Sequence, residues 1–159
     1  RIRCKKPTKS GVRWWNLLDG WPQISDAVVD YYGVKKLAYH YIRTSQQDFV
    51  IMAEEISNWK IRIIASNDTL KAVLGTVTIK CEGKTVYHGA FEVEANKNAE
   101  VTSLPVMYSE KKLFTFEWET NISNGSNHYI CGYPAFDFKK YKTEWLPEIR
   151  ALQKKECRS

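Results

Sequence analysis

The spacing of apolar residues changes near residue 47, and this change divides the chain into two regions. In the first, a dense apolar run at residues 12–18 precedes a polar stretch at 23–30. Apolar positions then recur at spacings of three and four over residues 32–45. These patterns predict a strand buried on both faces, a loop and an amphipathic helix. One strand and one helix form a single β/α unit, which cannot close a sheet by itself.

After residue 47 apolar and polar residues alternate, which is typical of strands with one buried face. Phe114, Phe116 and Trp118, for example, alternate with Thr115 and Glu117. Turn-forming residues separate seven such segments, at 49–56, 59–65, 73–81, 84–94, 100–107, 112–120 and 128–133. Seven short strands without intervening helices predict an antiparallel, immunoglobulin-like β-sandwich.

The end of the chain predicts a short helix over residues 139–153, broken at Pro147. Three apolar side chains of this tail are available to dock on the sandwich, namely Trp145, Leu146 and Ile149. The predicted fold is therefore mainly β, with three parts: a β/α unit at 1–46, a sandwich at 47–138 and a tail at 139–159.

Composition and charge narrow the function classes. Of the 159 residues, 43% are hydrophobic and 13% aromatic, which predicts a folded chain. The net charge of +6 comes largely from basic residues at the two ends, and no nucleic-acid recognition motif accompanies them. We therefore expect a solvated surface or a contact with another domain, with neither nucleic acid nor membrane as partner. A complete (β/α)8 barrel needs about 250 residues, so this chain cannot contain one.

Candidate binding chemistry is concentrated in residues 11–22, which contain three tryptophans, an amide and a carboxylate. Asn16 and Asp19 lie toward the carboxyl end of the predicted strand, where ligands bind in α/β folds. Aromatic faces beside hydrogen-bonding groups suit a sugar, whose C–H face stacks and whose hydroxyls need polar partners. A core strand with ordinary buried tryptophans is the alternative interpretation.

The same segment resembles the end of the catalytic barrel in glycoside hydrolase family 2 enzymes of the β-mannosidase and β-galactosidase kind. The matching residues are Gly11, Trp15, Asn16, Asp19, Trp21, Pro22, Asp30, Tyr31, Tyr32, Lys36, Tyr39 and Tyr41. A second match, to the tail of bacterial members, runs from residues 125–129 through 134–137. One departure is Leu18, where many relatives have Asn.

This resemblance implies the C-terminal part of a retaining exo-β-glycosidase acting on terminal β-linked sugars, mannoside- or galactoside-like. Residues 1–46 would be the last unit of the barrel, followed by the sandwich as an accessory domain. The family's two catalytic glutamates lie on earlier strands, so we expect no catalytic residue here, no activity of the chain alone, and neither cofactor nor metal. The implied partners are a carbohydrate substrate, the remainder of the barrel and preceding domains. The implied location is extracytoplasmic: periplasmic, secreted or lysosomal.

The resemblance assigns substrate binding to Trp15, Asn16, Asp19 and Trp21. Trp15 would stack on the terminal sugar. Asn16 and Asp19 would bind hydroxyls or hold a catalytic loop. Trp21 would plug a loop or reach the ligand, and Trp14 would pack under the helix.

A non-catalytic carbohydrate-binding or structural sandwich is the alternative function. Such a binding module predicts a row of exposed aromatic residues on one sheet face. The sandwich aromatics instead fall about one per strand, as expected for core or edge positions: Trp59, Tyr87, Tyr108 and Trp118. The four cysteines lack the spacing of a zinc site, and a disulfide between Cys81 and Cys131 is left open.

Overall fold

A computed structural model describes residues 3–9, 11, 15–132 and 137–156, with side chains described up to residue 153. Its helices are a 3-10 helix at Arg3–Lys5, α1 at Leu37–Ser45, α2 at Phe138–Lys140, a π-helical turn at Tyr141–Trp145 and α3 at Leu146–Glu156. Its strands are β1 (Phe49–Ala53), β2 (Lys60–Asn67), β3 (Val73–Cys81), β4 (Lys84–Val93), β5 (Asn98–Pro105), β6 (Lys112–Thr120) and β7 (Asn124–Cys131).

The strands form two antiparallel sheets packed face to face. One has the order β1-β2-β5 and the other β4-β3-β6-β7. Side chains from the inner faces, including Ile51, Ile63, Ile79 and Phe116, are completely buried between them. Each such side chain stabilises the fold by about 1.5–3 kcal/mol. The predicted immunoglobulin-like β-sandwich is confirmed.

The last strand differs from its prediction at residues 128–133. β7 begins at Asn124 because it pairs with β6 along nearly its whole length, from Asn124 opposite Glu119 to Cys131 opposite Lys112. The turn before it lies at residues 120–123, where Thr120 Oγ1 accepts the Ser123 N–H at 2.9 Å. β1 is also shorter than predicted and ends at Ala53.

Pro147 does not break the C-terminal helix, contrary to the prediction. The Leu146 N–H bonds to the Tyr141 carbonyl, the five-residue spacing of a π-helical turn. Pro147 then occupies the first turn of α3, where its missing N–H is tolerated. Trp145 and Ile149 are buried against the outer face of the four-stranded sheet with Leu146 packed beside them, which confirms their predicted docking.

The predicted strand at residues 12–18 is wrong for the part of it that is described. Residues 12–14, including Trp14, lie outside the described residues. Residues 15–18 make only one isolated parallel bridge, from Leu18 to Val29, and Trp15, Leu17 and Leu18 are exposed. A parallel strand buried on both faces needs a ladder on each side and covering layers, and among the described residues this segment pairs with residues 28–29 alone.

The first helix begins at Leu37 and not at residue 32. Asp30 Oδ1 accepts the N–H groups of Tyr32 and Val34, and Gly33 has a φ of +81°. These features close a turn, and the side chain of Asp30 fixes the loop before the helix. In the described part of the chain no helix is long and apolar enough to cross a membrane.

Candidate functional site

The segment that carries the predicted site lies alongside residues 28–29. The Asn16 carbonyl accepts the Val28 N–H at 3.2 Å, and the Leu17 carbonyl accepts the Val29 N–H at 2.9 Å. The Val29 carbonyl in turn accepts the Asp19 N–H at 3.2 Å. These three bonds fix the backbone from which the predicted site residues project. The peptide bond between Trp15 and Asn16 is cis.

Asp19 is the buried member of the predicted site, with only 3% of its surface exposed. Its Oδ1 accepts hydrogen bonds from Ser25 Oγ and from Gln23 Nε2, the latter at 3.2 Å. Its Oδ2 accepts one from Lys36 Nζ at 3.1 Å, and the same ammonium reaches the Ser25 carbonyl at 3.1 Å. The bond from Ser25, with those from Lys36 and Gln23, lowers the pKa of Asp19 below its usual value.

Because both oxygens of Asp19 are engaged, the carboxylate joins residues 23–25 to Lys36, the residue before α1. This geometry matches the loop-holding role that the sequence left open for Asp19, and hydroxyl binding by Asp19 stays a prediction. The partners Ser25 and Gln23 had no sequence signal. Lys36 belonged to the resemblance pattern, which was the one hint of its role.

The other three predicted site residues are at the surface. Trp15 is 82% exposed and Trp21 is 64% exposed, and Asn16 is exposed between them in the chain. The same part of the chain exposes further large apolar side chains, namely Leu17, Leu18, Ile24, Tyr31, Tyr32, Val34 and Leu37. So many exposed apolar side chains in one segment are typical of a site of contact with protein or ligand.

Polar contacts also link α1 and the linker after it to neighbouring parts of the chain. Tyr41 Oη lies 2.8 Å from His128 Nε2 on β7, beside a cavity of about 610 Å³ between α1, β7 and α3. Burial lowers the pKa of His128 to about 4, so the imidazole is neutral at pH 7. Arg3 binds the carbonyls of Ser45 and Gln47 at 2.8 and 2.6 Å, which fixes the linker after α1.

Cysteine, histidine and carboxylate side chains are dispersed over the part of the chain that the structure describes. Among the described residues no three His, Cys, Asp or Glu side chains are placed to share a metal ion. Cys4, Cys81 and Cys131 are free thiols, and β6 separates the strands of Cys81 and Cys131, so the disulfide left open by the sequence is not formed. Cys157 lies outside the described residues.

Comparison with known proteins identifies the fold. No protein-family model matches the chain, and no curated protein does. Among solved structures, a β-D-mannosidase from Dictyoglomus thermophilum matches 82% of this chain with a TM-score of 0.70 and 23% identity. An exo-chitosanase from Amycolatopsis orientalis matches 82% with a TM-score of 0.59 and 16% identity, and its complex with PNP-β-D-glucosamine matches equally.

The matched part is a small share of each enzyme: 17% of the mannosidase chain and 16% of the exo-chitosanase chain. Similarity at this level of identity establishes a shared fold. The chain therefore has the fold of a limited segment of these two glycoside hydrolases, in agreement with the fold that the sequence resemblance implied.

Proposed function

We propose that this chain is the C-terminal part of a retaining exo-β-glycosidase of the family 2 kind. It supplies one wall of the pocket for a terminal β-linked sugar, mannoside- or galactoside-like, together with an accessory sandwich. Retaining hydrolysis needs two carboxyl groups about 5 Å apart. Both would come from the remainder of the barrel, so the chain alone would be inactive. The extracytoplasmic location of the protein stays a prediction.

The observation that carries this proposal is the exposed indole of Trp15 on an anchored segment. Its neighbours in sequence are held by backbone bonds to Val28 and Val29, and the loop beyond them is held by buried Asp19. Large exposed aromatic side chains on a fixed backbone are suited to stacking on a sugar ring. The flat face of Trp15 would pack against the C–H groups of the terminal sugar.

Asn16 and Trp21 complete the proposed wall. The exposed amide of Asn16 offers both a donor and an acceptor for a hydroxyl pair. Trp21, also exposed, follows the buried Asp19 by two residues and so lies on the loop that Asp19 holds. In this arrangement Asp19 and Lys36 position the wall, and Asp19 would bind a substrate hydroxyl or act only through the loop that it holds.

The exposed apolar surface around this wall supports the rest of the proposal. A soluble domain rarely exposes so many large apolar side chains within one short segment without a partner. The remainder of a barrel is the occupant that the family resemblance of residues 11–41 implies. Two solved structures that share the fold are much longer glycosidases.

The test is hydrolysis of a panel of p-nitrophenyl β-glycosides by the complete protein and by this chain alone. We expect activity in the complete protein only. Trp15→Ala should then lower kcat/KM for the best substrate by about tenfold or more, whereas Leu70→Ala should not change it. Leu70 is the matched control because it is 91% exposed and lies on a loop of the sandwich.

Each other result contradicts part of the proposal. Full activity of Trp15→Ala would show that the indole does not contribute to the sugar pocket. No hydrolysis by the complete protein, together with sugar binding by the short chain, would favour the carbohydrate-binding module. Thermal unfolding of each variant, measured in parallel, separates a lost contact from a lost fold.

A further inference from the structure

The turn between β1 and β2 has an unusual residue at its tip. Ser57 and Lys60 exchange two backbone hydrogen bonds, of 2.9 and 3.0 Å, around Asn58 and Trp59. Both central residues have positive φ, 50° for Asn58 and 62° for Trp59. Asn followed by Gly is the preferred pair in such two-residue hairpins. A bulky aromatic residue in this conformation is a genuine outlier and directs attention to what its side chain does.

Burial does not offset the unfavourable backbone conformation of Trp59. The side chain remains 59% exposed. Its partner is Tyr108, whose ring lies edge-on to the indole with centroids 5.0 Å apart and an interplanar angle of 77°. Tyr108 is itself 40% exposed, and the adjacent Met107 is 58% exposed. The two rings therefore form an open aromatic pair outside the core.

The two loops that carry these rings are tied to each other. The Val106 N–H donates to the Trp59 carbonyl at 2.9 Å. The Tyr108 loop is closed by the Glu110 N–H, which donates to the Met107 carbonyl at 3.1 Å, and by Glu110 Oε2, which accepts the Met107 N–H at 3.3 Å. Because both backbones are fixed, little ordering is needed when a ligand binds the rings.

The sequence neighbours of Trp59 in the turn are polar. Asn58 and Lys60 line an open groove of about 840 Å³, which the two rings do not line. In that groove Arg62 pairs with Glu54 and Glu100. An exposed aromatic pair with an amide and an ammonium group on the adjacent residues suits a sugar ring with several hydroxyls.

We propose that Trp59 and Tyr108 form a second saccharide-binding site, on the sandwich, which takes a sugar ring of an oligosaccharide. The choice of a saccharide as ligand class rests on the proposed function. The sequence placed both residues at core or edge positions, one per strand. They lie instead in the turn before β2 and the loop after β5, and the fold brings them together.

The test uses this chain alone carrying Trp15→Ala, because the chain alone is expected to lack the catalytic carboxyl groups and so leaves the oligosaccharide intact. Affinities for β-1,4-mannotetraose and chitotetraose are measured by calorimetry with and without a second substitution, Trp59→Gly. We expect Trp59→Gly to weaken binding of at least one of these by about tenfold. Its melting temperature should stay the same or rise, because glycine adopts positive φ without strain. Tyr108→Ala should weaken binding similarly, and Leu70→Ala should not.

Two results would overturn this site. One is unchanged affinity, or no binding, in the Trp15→Ala protein. The other is unchanged affinity in Tyr108→Ala, measured in the same protein. Neither result depends on hydrolysis of the nitrophenyl glycosides. The experiment therefore distinguishes failure of this site from failure of the proposed glycosidase function. Tyr108→Ala decides the matter if Trp59→Gly does not fold.

Discussion

The sandwich buries its large apolar side chains, whereas the segment at residues 15–36 exposes large apolar side chains to solvent. In the sandwich, Ile51, Ile79 and Phe116 are completely buried between two sheets. In the segment, Ala27 and Val28 are the buried apolar residues, and Trp15, Trp21 and Ile24 face solvent. The sandwich is stabilised by its own core, whereas the segment is held by backbone bonds and one buried carboxylate.

This difference shows which region is free to serve another molecule. A residue packed in a core is constrained by its neighbours, and its substitution is felt as a loss of stability. An exposed residue on an anchored backbone can change a binding energy with little effect on folding. We therefore expect substitutions in the sandwich core to change stability, and substitutions at exposed positions of the segment to change binding with little effect on stability.

The largest effect should come from truncating the core. Phe116→Ala should lower the free energy of unfolding by about 3–5 kcal/mol, since a buried aromatic side chain is replaced by a cavity. Leu17→Ala, at a position that is 67% exposed, should change it by less than about 0.5 kcal/mol. Urea denaturation of both variants checks this pair. Similar losses in the two would mean that the segment shares the core.

The next effect is a dependence of stability on pH at the junction of the two regions. The pKa of His128 is about 4 in the fold because the imidazole is buried, against about 6.5 when unfolded. Between these values the unfolded chain binds more protons, so stability is highest above pH 6.5 and falls as the pH drops toward 4. The shift corresponds to about 3 kcal/mol.

Denaturation curves from pH 7.5 to 4 measure this slope. His128→Gln cannot titrate, so it should reduce the slope while keeping a polar partner for Tyr41. An equal slope in the wild type and in His128→Gln would assign the pH dependence to other groups.

A smaller loss of stability is expected when Asn67, a buried polar residue of the sandwich, is replaced. The buried Asn67 donates to the carbonyls of Lys71 and Glu94 at 2.8 and 3.0 Å and accepts the Thr69 N–H at 2.9 Å. Asn67→Ala leaves these groups unpaired and should lower the free energy of unfolding by about 1–3 kcal/mol. Urea denaturation measures this loss. The variant Asn67→Asp, which lacks the amide donor, shows whether that donor is needed for stability.

The smallest change in global stability should come from Asp19, the buried polar residue of the segment. Asp19→Asn removes the charge that holds Lys36, so the loop should open locally and the amides of Val28 and Val29 should exchange faster. Hydrogen exchange followed by NMR measures this, and protection within β3 and β6 should stay unchanged. Slower exchange at Val28, or a global loss, would contradict the loop-holding role.

The same anchor should respond to acid. Because hydrogen bonds lower the pKa of Asp19, its anchoring is complete above the unfolded pKa and is lost as the pH falls through the folded value. Protection of Val28 and Val29 should therefore fall in acid before the sandwich unfolds.

The sequence predicted the sandwich well because alternation with a period of two is a local signal. All seven strands lie within a few residues of their predicted positions, and Trp145 and Ile149 dock as expected. The signal failed at residues 15–18, because burial of a dense apolar run depends on neighbouring strands that the run itself does not specify.

Side-chain partnerships were predicted less completely for a similar reason. The sequence identified Asp19 but not its bonds to Ser25 and Lys36, which depend on how the loop folds back. It noted Trp59 and Tyr108 singly, because only the fold brings two distant turns together. The spacing of residues along the chain carries no information on such contacts.

Hydrogen exchange of the complete protein, with and without the sugar released from its best nitrophenyl glycoside, tests the proposed wall of the sugar pocket most directly. We expect slower exchange in peptides covering residues 15–30 when this sugar is bound. Protection that appears only in the sandwich, or nowhere in this chain, would contradict the claim that Trp15 and its segment form a wall of the sugar pocket.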